Sequence, residues 1–152
     1  MRKLLTAVFA LVAALASFVV GSPSANAFGS EVLGCYVENP PWLANSCDSA
    51  GNEPAYGLTP IYFSPHNTSG TYTTSWYVHN ANGVAVTQSC SSNYTNTPCI
   101  DYGCSAGSMA CNIAVRVGPT NDKVITAALT LTQSGRTRTI TAAATIYAGG
   151  IN

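Results

Sequence analysis

A serine set between glycines and a set of six carboxylates are the parts of this sequence with the type and spacing to do chemistry. Gly103-Cys104-Ser105-Ala106-Gly107 spells G-x-S-x-G, the spacing that lifts a nucleophilic serine onto a sharp strand-to-helix turn. That arrangement needs a strand before it, a helix after it, and an acid and a histidine later in the chain. Here His66 and His79 both precede Ser105, and Cys104 is expected in a disulfide, so the segment reads as a Gly-Ser loop. Paired carboxylates across a cleft hydrolyse glycosides, and Glu31, Glu38, Asp48, Glu53, Asp101 and Asp122 are the candidates. Five of them fall in irregular stretches and none on a recognisable strand face, which predicts solvated loop carboxylates. Asp48 to Glu53 offers oxygen ligands without the spacing of a calcium loop, so an Asx-turn is expected there. His79 is expected on a wet strand face. No catalytic residue, metal ligand set or cofactor motif is assigned.

Residues suited to binding are better represented. Tyr36, Trp42 and Tyr56 form an aromatic group, with Trp42 held stiffly behind Pro40-Pro41. Such rings stack on sugar faces, and they equally fill the small core of a disulfide loop. Tyr94, Tyr102 and Met109 lie between Cys90 and Cys111 in a stretch without regular pattern. Stapled by disulfides, that stretch loses little entropy on docking and suits a rigid contact surface, including one that blocks a protease; a long connection merely held down is the plainer expectation. The candidate binding residues are therefore Trp42, Tyr94, Tyr102 and Met109. Asn67-Thr68-Ser69 and Asn93-Tyr94-Thr95 match the glycosylation sequon.

These candidates have to be read in the compartment the amino end implies. Arg2 and Lys3 precede an apolar run from Leu4 to Val20, and Ala25-Asn26-Ala27 supplies a small-residue exit. This is the pattern of a secretory signal peptide over residues 1–27, cleaved after Ala27. Removal leaves Arg116, Lys123, Arg136 and Arg138 against the six carboxylates, a net charge of about −2. Without a basic excess, nucleic-acid binding by counterion release has no basis, and no membrane attachment is expected once the leader is gone. Localisation is expected to be extracellular, or periplasmic in a host with an outer membrane.

All six cysteines, Cys35, Cys47, Cys90, Cys99, Cys104 and Cys111, follow the leader. An even count in an exported chain predicts three disulfides, and the spacings do not suit zinc. Locality pairs Cys35 with Cys47. For the remaining four, Cys90 with Cys111 and Cys99 with Cys104 is the expected arrangement.

The elements that must carry these residues are strands. Thr supplies 16 residues after position 27 and favours sheets. From Thr71 to His79 the alternation places Tyr72, Thr74, Trp76 and Val78 on a buried face. Asn80-Ala81-Asn82-Gly83 then predicts a hairpin into Val84 to Gln88. Period-2 runs predict further strands over 111–117, 124–133 and 137–146, with a turn at Ser134-Gly135, and Leu58 to Phe63 predicts another that stops before Pro65. Several short strands in residues 28–152 argue for a single all-β domain, a two-sheet antiparallel sandwich stapled by disulfides.

Thr74-Ser75-Trp76-Tyr77-Val78 and the later Cys111-Asn112-Ile113-Ala114-Val115 resemble the Trp-bearing and Cys-bearing strands of immunoglobulin-like domains of exported bacterial proteins. The antibody pattern is incomplete: no Cys lies about a dozen residues before Trp76, and Met109 stands where that pattern has Tyr. The resemblance implies an immunoglobulin-like sandwich and no activity. The expectation is a secreted, non-catalytic binding or structural module, with no cofactor, whose partner is an extracellular protein or a polysaccharide. Two specific alternatives are a protease inhibitor working through the Cys90–Cys111 loop and a carbohydrate-binding module working through Trp42 and nearby Tyr.

Overall fold

The computed structural model describes residues 28–37, 43–49, 58–90, 97–116 and 121–148. Nine strands follow in chain order: β1 (Val32–Val37), β2 (Leu43–Ala44), β3 (Ser46–Asp48), β4 (Leu58–His66), β5 (Thr73–Asn80), β6 (Cys99–Tyr102), β7 (Cys111–Arg116), β8 (Lys123–Gln133) and β9 (Arg136–Ile146). They form a five-stranded sheet, β2-β1-β4-β7-β6, and a four-stranded sheet, β3-β9-β8-β5. Among the described residues there is no helix, and hence none long and apolar enough to cross a membrane.

Alternation dictates which face of each strand is buried. β8 sends Ile125, Ala127, Leu129 and Leu131 inward, and β9 sends Ile140, Ala142, Ala144 and Ile146. Across from them the five-stranded sheet contributes Leu33, Ile61, Phe63, Ile113 and Val115, all fully buried. Two half-apolar sheets thus close one core, each large aliphatic contributing about 1.5–3 kcal/mol by leaving water. The small side chains of Ala142 and Ala144 face this core, so period 2 overrides their helical propensity. The outer face of β8 and β9 is clad in hydroxyls: Thr130 and Thr139 lie 2.9 Å apart oxygen to oxygen, Thr132 and Thr137 3.1 Å.

The strand order is that of an immunoglobulin-like sandwich. β1, β4, β7 and β6 take the A, B, E and D places of one sheet, and β5, β8 and β9 the C, F and G places of the other. Trp76 stands on the C-place strand, as expected. Cys111 does not stand on the F-place strand. β8 occupies that place without a cysteine, and the strand carrying Cys111 lies in the opposite sheet. The link between the sheets is instead Cys35–Cys47, from β1 to β3. Beside it, the Asn45 amide donates to the Leu33 carbonyl and its carbonyl accepts from Ala143, so one residue at φ 67° bonds both sheets.

Several expectations are corrected. The disulfides are Cys35–Cys47, Cys90–Cys99 and Cys104–Cys111, so Cys90 with Cys111 and Cys99 with Cys104 is wrong. The cause is β6, which the sequence pattern did not reveal. Its Ile100 exchanges backbone bonds with Gln88 and Cys90, bringing Cys90 to Cys99, and the β6–β7 connection folds back to join Cys104 to Cys111. The Asn80–Gly83 turn forms, with Gly83 at φ 75°, but the returning chain pairs with β5 over Val84 to Val86, not as far as Gln88, before turning to β6. β4 does not stop before Pro65: it runs on to His66, pairing Pro65 with Leu33 and His66 with Val32.

Candidate functional site

The outer face of the five-stranded sheet collects aromatic side chains in register. Tyr36 of β1 pairs with Tyr62 of β4, Tyr62 with Asn112 of β7, and Asn112 with Tyr102 of β6. Side chains opposite one another in antiparallel strands share a face, so the four form a row spanning three interstrand spacings, about 14 Å. Tyr36 and Tyr62 stack with centroids 4.7 Å apart and planes 19° from parallel. Tyr102 reaches the row because of a register shift: Ile100 is opposite Ile113, yet Tyr102, not Asp101, is opposite Asn112. A β-bulge re-aims a side chain in this way.

The row has an exposed end and a buried middle. Tyr102 is 58% exposed, while Asn112 is 3% exposed and its Nδ2 has no hydrogen-bond partner. An unmade buried donor costs about 1–3 kcal/mol. Burial raises the Tyr62 hydroxyl pKa, and the neighbouring Tyr102, Tyr36 and Asp101 add to the rise, so the phenol is a neutral donor and acceptor.

A second feature is the Cys104–Cys111 ring, which docks on the edge of β5. Thr74 Oγ1 and Trp76 Nε1 both donate to the Ser108 carbonyl at 2.9 Å, and the Gly107 amide donates to the Thr74 carbonyl at 3.1 Å. Ser105, Ala106 and Gly107 are its exposed tip. Met109 points the other way, half-buried against the core. Of the four candidate binding residues the structure thus separates Met109 from Tyr102, while Trp42 and Tyr94 lie outside the described residues. Tyr36 and Tyr62 are brought to Tyr102 by register; Tyr62 and Asn112 were missed because pairing of β4 with β1 and β7 has no local signature in sequence.

The residues weighed for catalysis are scattered. Ser105 sits in the disulfide ring between two strands, with its amide bonded to Gly103. His66 and His79 lie in different sheets, and His79 faces outward with its ring 5.4 Å from Tyr77 and Nδ1 2.8 Å from the Asn80 carbonyl. Glu31, expected as a solvated loop carboxylate, is instead buried just before β1, where the Gly29 amide and Tyr72 hydroxyl replace water; Asp48 ends β3, Asp101 is exposed on β6, and Asp122 accepts from the Ala148 amide at 2.7 Å. Glu38 and Glu53 lie outside the described residues. Ser49 runs on alongside β9 after β3, its amide donating to the Thr145 carbonyl and its hydroxyl accepting from the Tyr147 amide, and residues 50–53 of the expected Asx-turn lie outside the described residues.

No protein-family model matches the sequence, and no curated protein matches it. Among solved structures the chain is similar to the ASH / PapD-like domain of human CEP192 (PapD-like domain 7), at 11% identity over 78% of this chain and 87% of that one, with a TM-score of 0.40. The immunoglobulin-like assignment therefore rests on the strand order itself.

Proposed function

We propose that this chain is an exported, non-catalytic binding module that contacts a neutral polysaccharide through the row Tyr36, Tyr62, Asn112 and Tyr102. The observation that carries this reading is the unpartnered Asn112 Nδ2 in the middle of that row. A sugar hydroxyl supplies the missing acceptor, while tyrosine rings and hydroxyls offer stacking and hydrogen bonds on either side. Tyr102 is the exposed side of the row, and a rotamer change there, fast for an exposed residue, admits the hydroxyl. A mature charge of about −2 favours a neutral partner over a polyanion. The disulfides and the leader pattern support export, and the strand order supports an immunoglobulin-like sandwich as the scaffold.

Retention of the processed protein on insoluble cellulose, chitin and cell-wall polysaccharide tests this. Retention on one of them, weakened about tenfold or more by Tyr102→Ala and by Asn112→Ala, is expected, since about 1.4 kcal/mol separates such affinities. Tyr147→Ala, outside the row, should leave it unchanged. No retention on any polysaccharide, or retention indifferent to Tyr102, removes the proposal.

A further inference from the structure

Glu31 is 1% exposed, the one buried carboxylate among the described residues, and no part of the tyrosine row. Its Oε2 accepts from the Gly29 amide at 2.7 Å and its Oε1 from the Tyr72 hydroxyl at 3.0 Å. The nearest cation among the described residues, Arg138, places Nη1 3.9 Å from Oε2 and is itself 37% exposed. Both oxygens thus have hydrogen-bond donors, but the cation stands beyond hydrogen-bond distance, so a closer positive group would add to the pairing.

The residue that could bring one is already held in place. The Phe28 ring stacks on Tyr72 at 6.3 Å, and the Arg136 guanidinium sits over the Phe28 ring at 5.2 Å. Gly29, at φ 126°, folds the chain back so that its amide meets Glu31; a Cβ there would come within 3.4 Å of Arg138 Nη1. The nitrogen of Phe28 therefore lies one residue along the chain from an amide already bonded to the carboxylate.

The geometry points to Glu31 as the receptor for the α-ammonium of Phe28, created when the leader is removed after Ala27. The inference rests on reading residues 1–27 as a cleaved leader. An export peptidase adds water across the Ala27–Phe28 amide: the C–N bond breaks, the hydroxyl goes to the Ala27 carbonyl carbon and the hydrogen to the Phe28 nitrogen. At neutral pH the products are a carboxylate on the leader and an ammonium on the domain. Processing thus completes the charge pairing of a buried acid just before β1, and ties the stability of the sandwich to maturation. Among the described residues, the charged and titratable groups on the elements that meet residues 28–32 are Glu31 itself, Tyr72 from the segment before β5, Arg136 and Arg138 from β9, and His66 at the end of β4, paired with Val32.

An ammonium that gains a partner has its pKa raised on folding. Its contribution is fully present below the unfolded α-amino value, about 7.7–8.0, and is lost as pH rises through the folded value. The exported protein is purified, its first residue established by intact mass, and its urea unfolding followed from about pH 6.5 to about pH 9.5. A second form, with the cleavage site moved so that one extra alanine precedes Phe28, and Glu31→Gln are measured beside it. The protein beginning at Phe28 is expected to lose about tenfold in its folding equilibrium constant across that range, relative to the extended form and to Glu31→Gln. Parallel curves for the Phe28 form and the extended form overturn the inference even if Glu31→Gln fails to fold. A first residue other than Phe28 overturns the leader reading, and the inference with it.

Discussion

Glu31 shows how one carboxylate acquires its charge state. Burial disfavours the ionised form, yet the backbone amides of Glu31 and Gly29, the Tyr72 hydroxyl and Arg138 together outweigh it and hold the carboxyl below its usual range. Since the native pKa lies below the unfolded one, the stabilisation exists above the unfolded value near 4.5 and is lost as pH falls through the native value. Acid unfolding of wild type should therefore be steeper below about pH 4.5 than that of Glu31→Gln, as followed by circular dichroism. Tyr72→Phe leaves Oε1 without that donor and should cost about 1.5–3 kcal/mol in urea unfolding at neutral pH. Glycine positions make a second residue-scale contrast. Gly103 and Gly107 both sit at φ 87°, but a Cβ on Gly103 would meet the Ala110 carbonyl oxygen at 2.5 Å, and one on Gly107 meets nothing within 4 Å. Gly107→Ala should cost about 1–2 kcal/mol from backbone strain alone, and Gly103→Ala clearly more.

At the scale of elements, the Cys104–Cys111 ring is both a loop and the cover of a strand edge. Gly107 bonds the Thr74 carbonyl at one end of β5, and Val86 bonds the Val78 carbonyl near the other. Replacing Cys104 and Cys111 together by Ser should cost about 2–3 kcal/mol by the loop-entropy relation. It should also free Trp76, whose indole N–H is bonded to Ser108, so its emission shifts to the red in the native baseline. The threonine pairs across β8 and β9 are the corresponding outer-face contacts. A double-mutant cycle on Thr130 and Thr139 should return a coupling of about 0.2–1 kcal/mol. β5, β7, β8 and β9 were legible because their apolar residues alternate over six or more positions; β2, β3 and β6, of two to four residues, are too short to show a period.

At the scale of the whole molecule, the sheets leave little backbone open among the described residues. β2 and β3, the outer strands on one side, are two and three residues long, and on the other side β6 is bridged by Ser89 while β5 is covered as described. Short and covered edges are how sandwiches avoid pairing with one another. β8 lies between β9 and β5 and sends four fully buried side chains into the core. Its amides should be the slowest to exchange with deuterium, and Leu129→Ala should destabilise the fold by about 2–5 kcal/mol.

The sequence by itself determined what is local: strands wherever apolar and hydroxyl residues alternate, a turn at Asn82-Gly83, paired thiols, and the Cys35–Cys47 link across a short separation. Each depends on neighbours a few residues apart, so composition and period suffice to reveal it. Only the tertiary structure decided which strands share a sheet, which of the four later cysteines meet, that a bulge turns Tyr102 onto Asn112, and that Glu31 is buried beneath Tyr72. Those outcomes depend on register between segments far apart in the chain, which is set when two sheets pack their apolar faces together and leave each side chain one available face.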